Sequence, residues 1–201
     1  MAIYIGLLRA INLGSHNKVS MADLKTWLAD LGMKNPQSIL QSGNLVFESP
    51  SRATGPLEKL LETSAAKQLG LQTDFFVRTG AEWQQAIADN PFPTEAKLDP
   101  SHMVLMCLKD APPPAAVKAL QEAIKGREVV KAKGRHAYFV YPDGIGTSKV
   151  TMTLIEKKLG TTGTARNWNT VLKLRDQGSG IRDQGSGIRD QGSGRSPFPV
   201  P

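Results

Sequence analysis

The order in which hydrophobic patterns follow one another constrains this chain more than any single motif does. Ile3, Ile5, Leu7 and Leu8 mark a buried strand from about Ala2 to Arg9. Polar residues then gather at Arg9, Asn12, Ser15, His16, Asn17 and Lys18. A helix follows, opened by Ser20 with Asp23 three residues on, a spacing that satisfies orphan N–H groups at a helix start. Met21, Leu24, Trp27, Leu28 and Leu31 recur at helical spacing, and Gly32 can take the left-handed conformation that ends a helix. Two short strands are expected at about Ser38–Gln41 and Asn44–Glu48, joined through Ser42 and Gly43. Pro56 suits the first turn of a second helix with Leu57, Leu60, Leu61, Ala65 and Leu69 inward, and Gly70 ends it. Thr73–Arg78 reads as a strand with Phe75 and Val77 on one face and Phe76 on the other.

After a third helix, capped by Thr79 and Glu82 and stopped at Asn90-Pro91, a segment rich in Pro and polar residues runs to Pro100. The pattern then restarts. Met103–Leu108 is apolar on both faces, as in a central strand, and Pro112-Pro-Pro114 opens a helix with Val117, Leu120 and Ile124 inward. A hairpin of Glu128–Lys131 and His136–Tyr141 precedes the turn Pro142-Asp143-Gly144. A helix at about Lys149–Leu159, a short strand at Thr164–Arg166 and a last helix burying Trp168, Val171 and Leu172 complete the order. Each half reads β-α-β-β-α-β, the arrangement of a ferredoxin-like domain with an antiparallel sheet. The expected α+β organisation is one such domain over residues 2–78, a connecting helix and linker over 79–100, and a second domain over 101–174. The heptapeptide RDQGSGI at Arg175–Ile181 recurs at Arg182–Ile188 and, without its last residue, at Arg189–Gly194. Gly-Ser-rich copies cannot build a core, so a disordered tail is expected over residues 175–201.

Composition narrows the class. The 201 residues carry a formal charge of +7 and a sequence pI near 9.6. Residues 175–201 hold four Arg and three Asp, so only +1 of that charge lies in the tail and +6 belongs to the body. A basic body raises the prospect of an anionic partner, nucleic acid or a phosphorylated small molecule. Nothing approaches the roughly 18 consecutive apolar residues of a membrane span. No signal peptide is expected, and a lone Cys107 fits a reducing cytoplasm.

Candidate ligand groups fall at four places. Arg9, Asn12 and Lys18 lie in the loop ahead of the first helix, where backbone N–H groups and a favourable dipole could hold an anion. Their structural alternative is turn stabilisation and an acid partner for Arg9. Gln41, Ser42 and Asn44 bracket Gly43 and could read a ligand edge, although turn chemistry explains them equally well. Gly144–Lys149 follows a strand and precedes a helix, so Ser148 and Lys149 could bind phosphate, but the spacing of a P-loop is absent. Arg166, Asn167 and Trp168 mix charge, amide and indole, with stacking of a base on Trp168 set against a place in the core. His16, His102 and His136 show no metal-ligand spacing, so neither metal nor cofactor is expected.

Three segments together carry a resemblance: Leu7–Gly14 with Lys18, Gln41–Phe47 and Thr164–Val171. Over about residues 2–175 the chain resembles the bacterial family grouped as Domain of Unknown Function 1697. The resemblance implies a pair of α-β plait domains in a cytoplasmic protein without an assigned activity. The family typically carries Gly where this chain has Ala10 and Ser15, so its backbone freedom in the polar loop is reduced here. No catalytic set is assembled. The expected role is a non-enzymatic module for an anionic ligand, and the alternative is a small enzyme acting on a phosphorylated metabolite between the halves. Self-association is a further expectation from the doubled pattern.

Overall fold

The computed structural model describes residues 1–11, 18–40, 43–50 and 53–186, with side chains through residue 178. The first half runs β1 (Ala2–Leu8), α1 (Met21–Asp30), β2 (Lys34–Ile39), β3 (Asn44–Ser49), α2 (Thr54–Gln68) and β4 (Phe75–Thr79). Helices α3 (Gly80–Ala88) and α4 (Pro93–Leu98) lead into the second half. That half runs β5 (Met103–Leu108), α5 (Pro114–Ala123), β6 (Val129–Lys133), β7 (His136–Val140), α6 (Met152–Leu159) and β8 (Gly163–Asn167), followed by α7 (Trp168–Ser186). The strands form two four-stranded antiparallel sheets, ordered β2-β3-β1-β4 and β6-β7-β5-β8. With seven α-helices among the described residues, the fold is α+β.

Alternation along the strands divides the core. In β1, Tyr4 and Leu8 belong to an outer core with Leu24, Trp27 and Leu28 of α1 and Leu57, Leu61 and Ala65 of α2. Trp27 Nε1 donates to Ser64 Oγ at 3.0 Å, which ties α1 to α2 inside that layer. The second sheet has its own outer core, where Val104, Met106 and Leu108 meet Leu120 of α5 and Ile155 and Leu159 of α6. The opposite faces share one core. Ile5, Leu7, Val46 and Phe76 meet Leu105, Cys107, Tyr138 and Val140, and Trp83 of α3 with Trp168, Val171 and Leu174 of α7 are part of it. Two buried bonds secure α3 there: Trp83 Nε1 donates to Val171 O at 3.1 Å, and Tyr138 Oη donates to Ala86 O at 2.7 Å. Each sheet therefore carries helices on one face and presents the other to its counterpart, which explains why β5 is apolar on both sides.

Several expectations change. The buried stripe of α2 includes Glu58 and omits Leu60, which is 48% exposed. Helix α6 begins at Met152 and is capped by Thr151, whose Oγ1 accepts from Leu154 N at 3.2 Å. Ser148 and Lys149 therefore precede the helix instead of opening it. The expected disorder over residues 175–201 is corrected for its first part, since α7 continues to Ser186. Trp168, Val171 and Leu174 anchor its first turns, and extending a nucleated helix costs little per residue. Gly178 extends that packing, with room for a Cβ only 3.8 Å from Ile3 Cγ2. Residues 187–201 lie outside the described region.

Candidate functional site

Three of the residues singled out in the sequence, Arg9, Asn44 and Arg166, lie on the seam between the halves, and two of them, Arg166 and Asn44, meet there. Arg166 is the fourth residue of β8, and its guanidinium leaves its own sheet. Nε donates to Asn44 Oδ1 at 2.5 Å, while the NH2 amino group donates to Leu8 O at 2.9 Å and to Gly43 O at 3.4 Å. The other amino group stays at home on Thr164 Oγ1 and Ala165 O, both at 2.8 Å. Asn44 is fully buried and donates to Ile39 O at 2.9 Å, so its carbonyl is turned toward Arg166. Burial holds the Arg166 pKa down to about 10, which leaves the group charged at neutral pH.

The first half returns the same contact. Arg78 is the fourth residue of β4 and is 1% exposed. It donates from Nε to His136 Nε2 at 3.1 Å, from NH2 to Leu108 O at 2.7 Å and to Arg135 O at 3.1 Å, and from NH1 to Val77 O at 2.8 Å. Leu8 ends β1 as Leu108 ends β5, and Asn44 opens β3 as His136 opens β7. The flanking cations repeat the pattern. Arg9, just after β1, reaches Glu156 of α6 at 3.0 Å and Asp74 at 3.4 Å. Lys109, just after β5, reaches Glu58 at 3.1 Å and Glu62 at 2.6 Å on α2. Even the acids match, since Glu156 Oε1 accepts from Gly163 N and Glu62 Oε1 from Phe75 N, the first residues of β8 and β4. The halves thus clasp each other by an approximate two-fold exchange of basic side chains.

One side of that clasp is more heavily charged. Glu58, 4% exposed, accepts from Val77 N at 2.8 Å and lies 3.5 Å from Arg78 and 4.0 Å from Arg135 as well as against Lys109. A buried carboxylate tolerates that position because cations and a backbone donor surround it. His136 sits beside this group with its pKa lowered to about 4, first by burial and then by Arg78 and Arg135. It is a neutral imidazole whose Nε2 already accepts a bond, so it is poorly suited to proton transfer near pH 7.

The remaining predicted residues go to other places. Trp168 is 3% exposed in the shared core, which corrects the stacking role considered for it. Asn167 donates to Ser101 O at 2.6 Å and accepts from Asn169 N at 3.0 Å, a local bond at the start of α7. Lys18 is exposed. Asn12, Gln41 and Ser42 lie outside the described residues. Gly43 takes φ +69° with a would-be Cβ 2.8 Å from Ile11 Cδ1, so the turn there demands glycine.

Ser148 and Lys149 line a real cleft. It has a volume of about 350 Å³ and lies between the segment that follows α5 and the loop that joins β7 to α6. Lys125, Arg127 and Glu128 form one wall, and Asp143, Thr147, Ser148 and Lys149 the other. Ser148 Oγ donates to Glu128 Oε1 and accepts from Val150 N at 3.0 Å, which pins the two walls together. The carboxylate of Glu128 fits because residue 126 has no side chain: a Cβ there would lie 2.1 Å from Glu128 Oε2. Arg127 NH1 meets Asp143 Oδ1 at 2.8 Å across the cleft, with both side chains exposed. Among the described residues Lys125 and Lys149 make no ion pair. Tyr141, buried near Glu128, has its pKa raised to about 12 by burial and by that carboxylate.

Arg78, Glu58, Lys125, Arg127 and Glu128 escaped the sequence reading. A visible signal existed for Glu58, an acid one position from Leu57 on an otherwise apolar stripe, and for Arg78, a cation within an apolar strand. No three His, Cys, Asp or Glu side chains converge as metal ligands among the described residues. Nor is any described helix long and apolar enough to cross a membrane.

In comparison with solved structures, the chain is similar to the conserved bacterial protein SP0830 from Streptococcus pneumoniae, with a TM-score of 0.67 at 22% identity. That likeness covers 88% of this chain and 98% of the other, and it concerns the fold. No curated protein matches the sequence. The model of the family described as protein of unknown function (DUF1697) matches residues 1–138, and the chain belongs to that family.

Proposed function

We propose that this protein is a non-catalytic cytoplasmic module that binds a small phosphorylated ligand in the cleft of its second half. The observation that carries the reading is a ligand-sized cleft lined by Lys125, Arg127 and Lys149, of which only Arg127 has an acid partner among the described residues. A volume of about 350 Å³ is that of a small-molecule site. Arg9 and Arg166 cannot serve the same ligand, because their guanidinium groups hold the seam. In this reading the two β-α-β-β-α-β units are ferredoxin-like domains, supported by the sheet orders β2-β3-β1-β4 and β6-β7-β5-β8. The neutral, occupied His136 and the Arg127-bound Asp143 favour binding over acid–base catalysis.

The test is a thermal-shift and calorimetric comparison of nucleotides, sugar phosphates and short DNA and RNA, at two salt concentrations, with the full chain. Phosphorylated small molecules are expected to raise the melting temperature, and the double variant Lys125→Ala, Lys149→Ala to abolish the effect. Binding of DNA or RNA with a steep log–log salt slope, and of no small phosphate, would overturn the reading in favour of a nucleic-acid surface.

A further inference from the structure

The pair Arg127–Asp143 differs from an ordinary surface ion pair in where it stands. Both residues are exposed, at 72% and 59% of the side chain, and they come from opposite walls of the cleft. The walls do not need the pair to hold them. The bond from Ser148 to Glu128 already links them, and Gln121 fixes the strand start by donating to Glu128 O at 3.1 Å and accepting from Val130 N at 2.8 Å. On the Asp143 side, Thr147 Oγ1 donates to Asp143 O at 2.7 Å and Gly144 N donates to Tyr141 O at 2.9 Å, so the turn is also held by its own backbone. An exposed pair of this kind is worth little to stability. Its parts are nonetheless those of anion recognition: a guanidinium, with a carboxylate already seated on it.

We propose that Asp143 is a built-in stand-in for the ligand's phosphate, which takes its place on Arg127 when the cleft is filled. The inference rests on the anion-binding reading of the same cleft. Arg127, Lys125 and Lys149 contribute three positive charges to the lining, and Glu128 and Asp143 two negative ones. With Asp143 on Arg127 the cleft is close to neutral. Once Asp143 swings outward, three cations face the ligand and Glu128 stays bound to Ser148. A dianionic phosphate monoester gains most from that exchange, since it can accept two parallel N–H bonds from the guanidinium as well as the lysine charges. A monoanion repays the displaced carboxylate with one charge only. The ligand class is therefore a small phosphate monoester, and Arg127 is the group that selects it.

Calorimetry with ribose 5-phosphate and with inorganic phosphate, on the full chain, tests the exchange through a double-mutant cycle. Asp143→Asn is expected to tighten ribose 5-phosphate binding by roughly fivefold, because the ligand no longer has to break the exposed Arg127–Asp143 pair. Arg127→Ala is expected to weaken it at least as much, and in the Arg127→Ala background Asp143→Asn should have almost no effect. Additive effects would overturn the proposal, because Asp143 would then act only as a nearby charge. No tightening in Asp143→Asn would do the same. If Lys125→Ala, Lys149→Ala leaves phosphate binding untouched, the anion-binding reading of the cleft fails instead, and the stand-in fails with it. Melting temperatures of all variants should stay close to that of the parent, as befits exposed residues held apart from the core.

Discussion

The two halves of the molecule repeat the same clasp with different chemistry, and the difference decides what each side can do. At one end Arg166 closes on the Asn44 amide and two carbonyls. At the other, Arg78 closes on His136 and two carbonyls with the buried carboxylate of Glu58 at its back. An amide and an imidazole occupy matching positions as acceptors, yet only the imidazole titrates. The imidazole side therefore loses stability as pH falls from 6.5 toward 4, through a titration that its amide counterpart lacks. The halves differ again on their outer edges. Residues 50–53 join β3 to α2, whereas residues 141–151 join β7 to α6, and the longer connection supplies one wall of the cleft.

The largest expected effect separates the two arginines. Arg78→Ala leaves Glu58 buried without its nearest guanidinium and should cost about 3–5 kcal/mol in chemical denaturation. Arg166→Ala removes the donor to Asn44 Oδ1 and Leu8 O, and about 1–3 kcal/mol is expected. Equal losses would mean that the acid behind Arg78 contributes nothing to the contrast.

Next comes the pH dependence. The imidazole has an ordinary pKa of 6.5 and a folded value of about 4, so the unfolded chain binds the extra proton first. Stability from this group is complete above about pH 6.5 and is lost as pH falls toward 4, on the order of 3 kcal/mol. His136→Asn copies the opposite side of the clasp. Denaturation between pH 4 and 6.5 should show a shallower loss in the variant than in the parent. Parallel curves would assign the acid sensitivity to other groups.

The smallest effect concerns the loop after β1. Ala10 has φ +50°, a left-handed conformation that is costly with a Cβ. Ala10→Gly should relieve that strain against the added chain entropy, a net gain of up to about 1 kcal/mol in thermal unfolding. A loss would show that the loop does not need this freedom.

Much of the architecture was legible because periodicity reports burial directly. The alternation Phe75, Phe76, Val77 split between two cores as its spacing implied, and Trp27 and Leu28 went inward with the helical stripe. Capping signals at Ser20 and Thr79 were accurate, since local hydrogen bonds depend on neighbours in sequence. The site was far less legible. Arg9 and Arg166 looked like ligand groups because an isolated sequence cannot show the carbonyls and acids of another half. Lys125, Arg127 and Glu128 looked like ordinary surface charge, because nothing local reveals that two loops face each other.

Local order, the sequence of strands and helices and the apolar faces of each follow from residue spacing alone, through backbone propensity and the cost of exposing apolar side chains. The mutual clasp of the halves, the neutral His136 and the cleft beside Asp143 depend on groups distant in sequence, as with Arg166 and Leu8 across 158 positions. Burial and charge pairing are properties of the assembled neighbourhood, and they exist only once the two sheets have met.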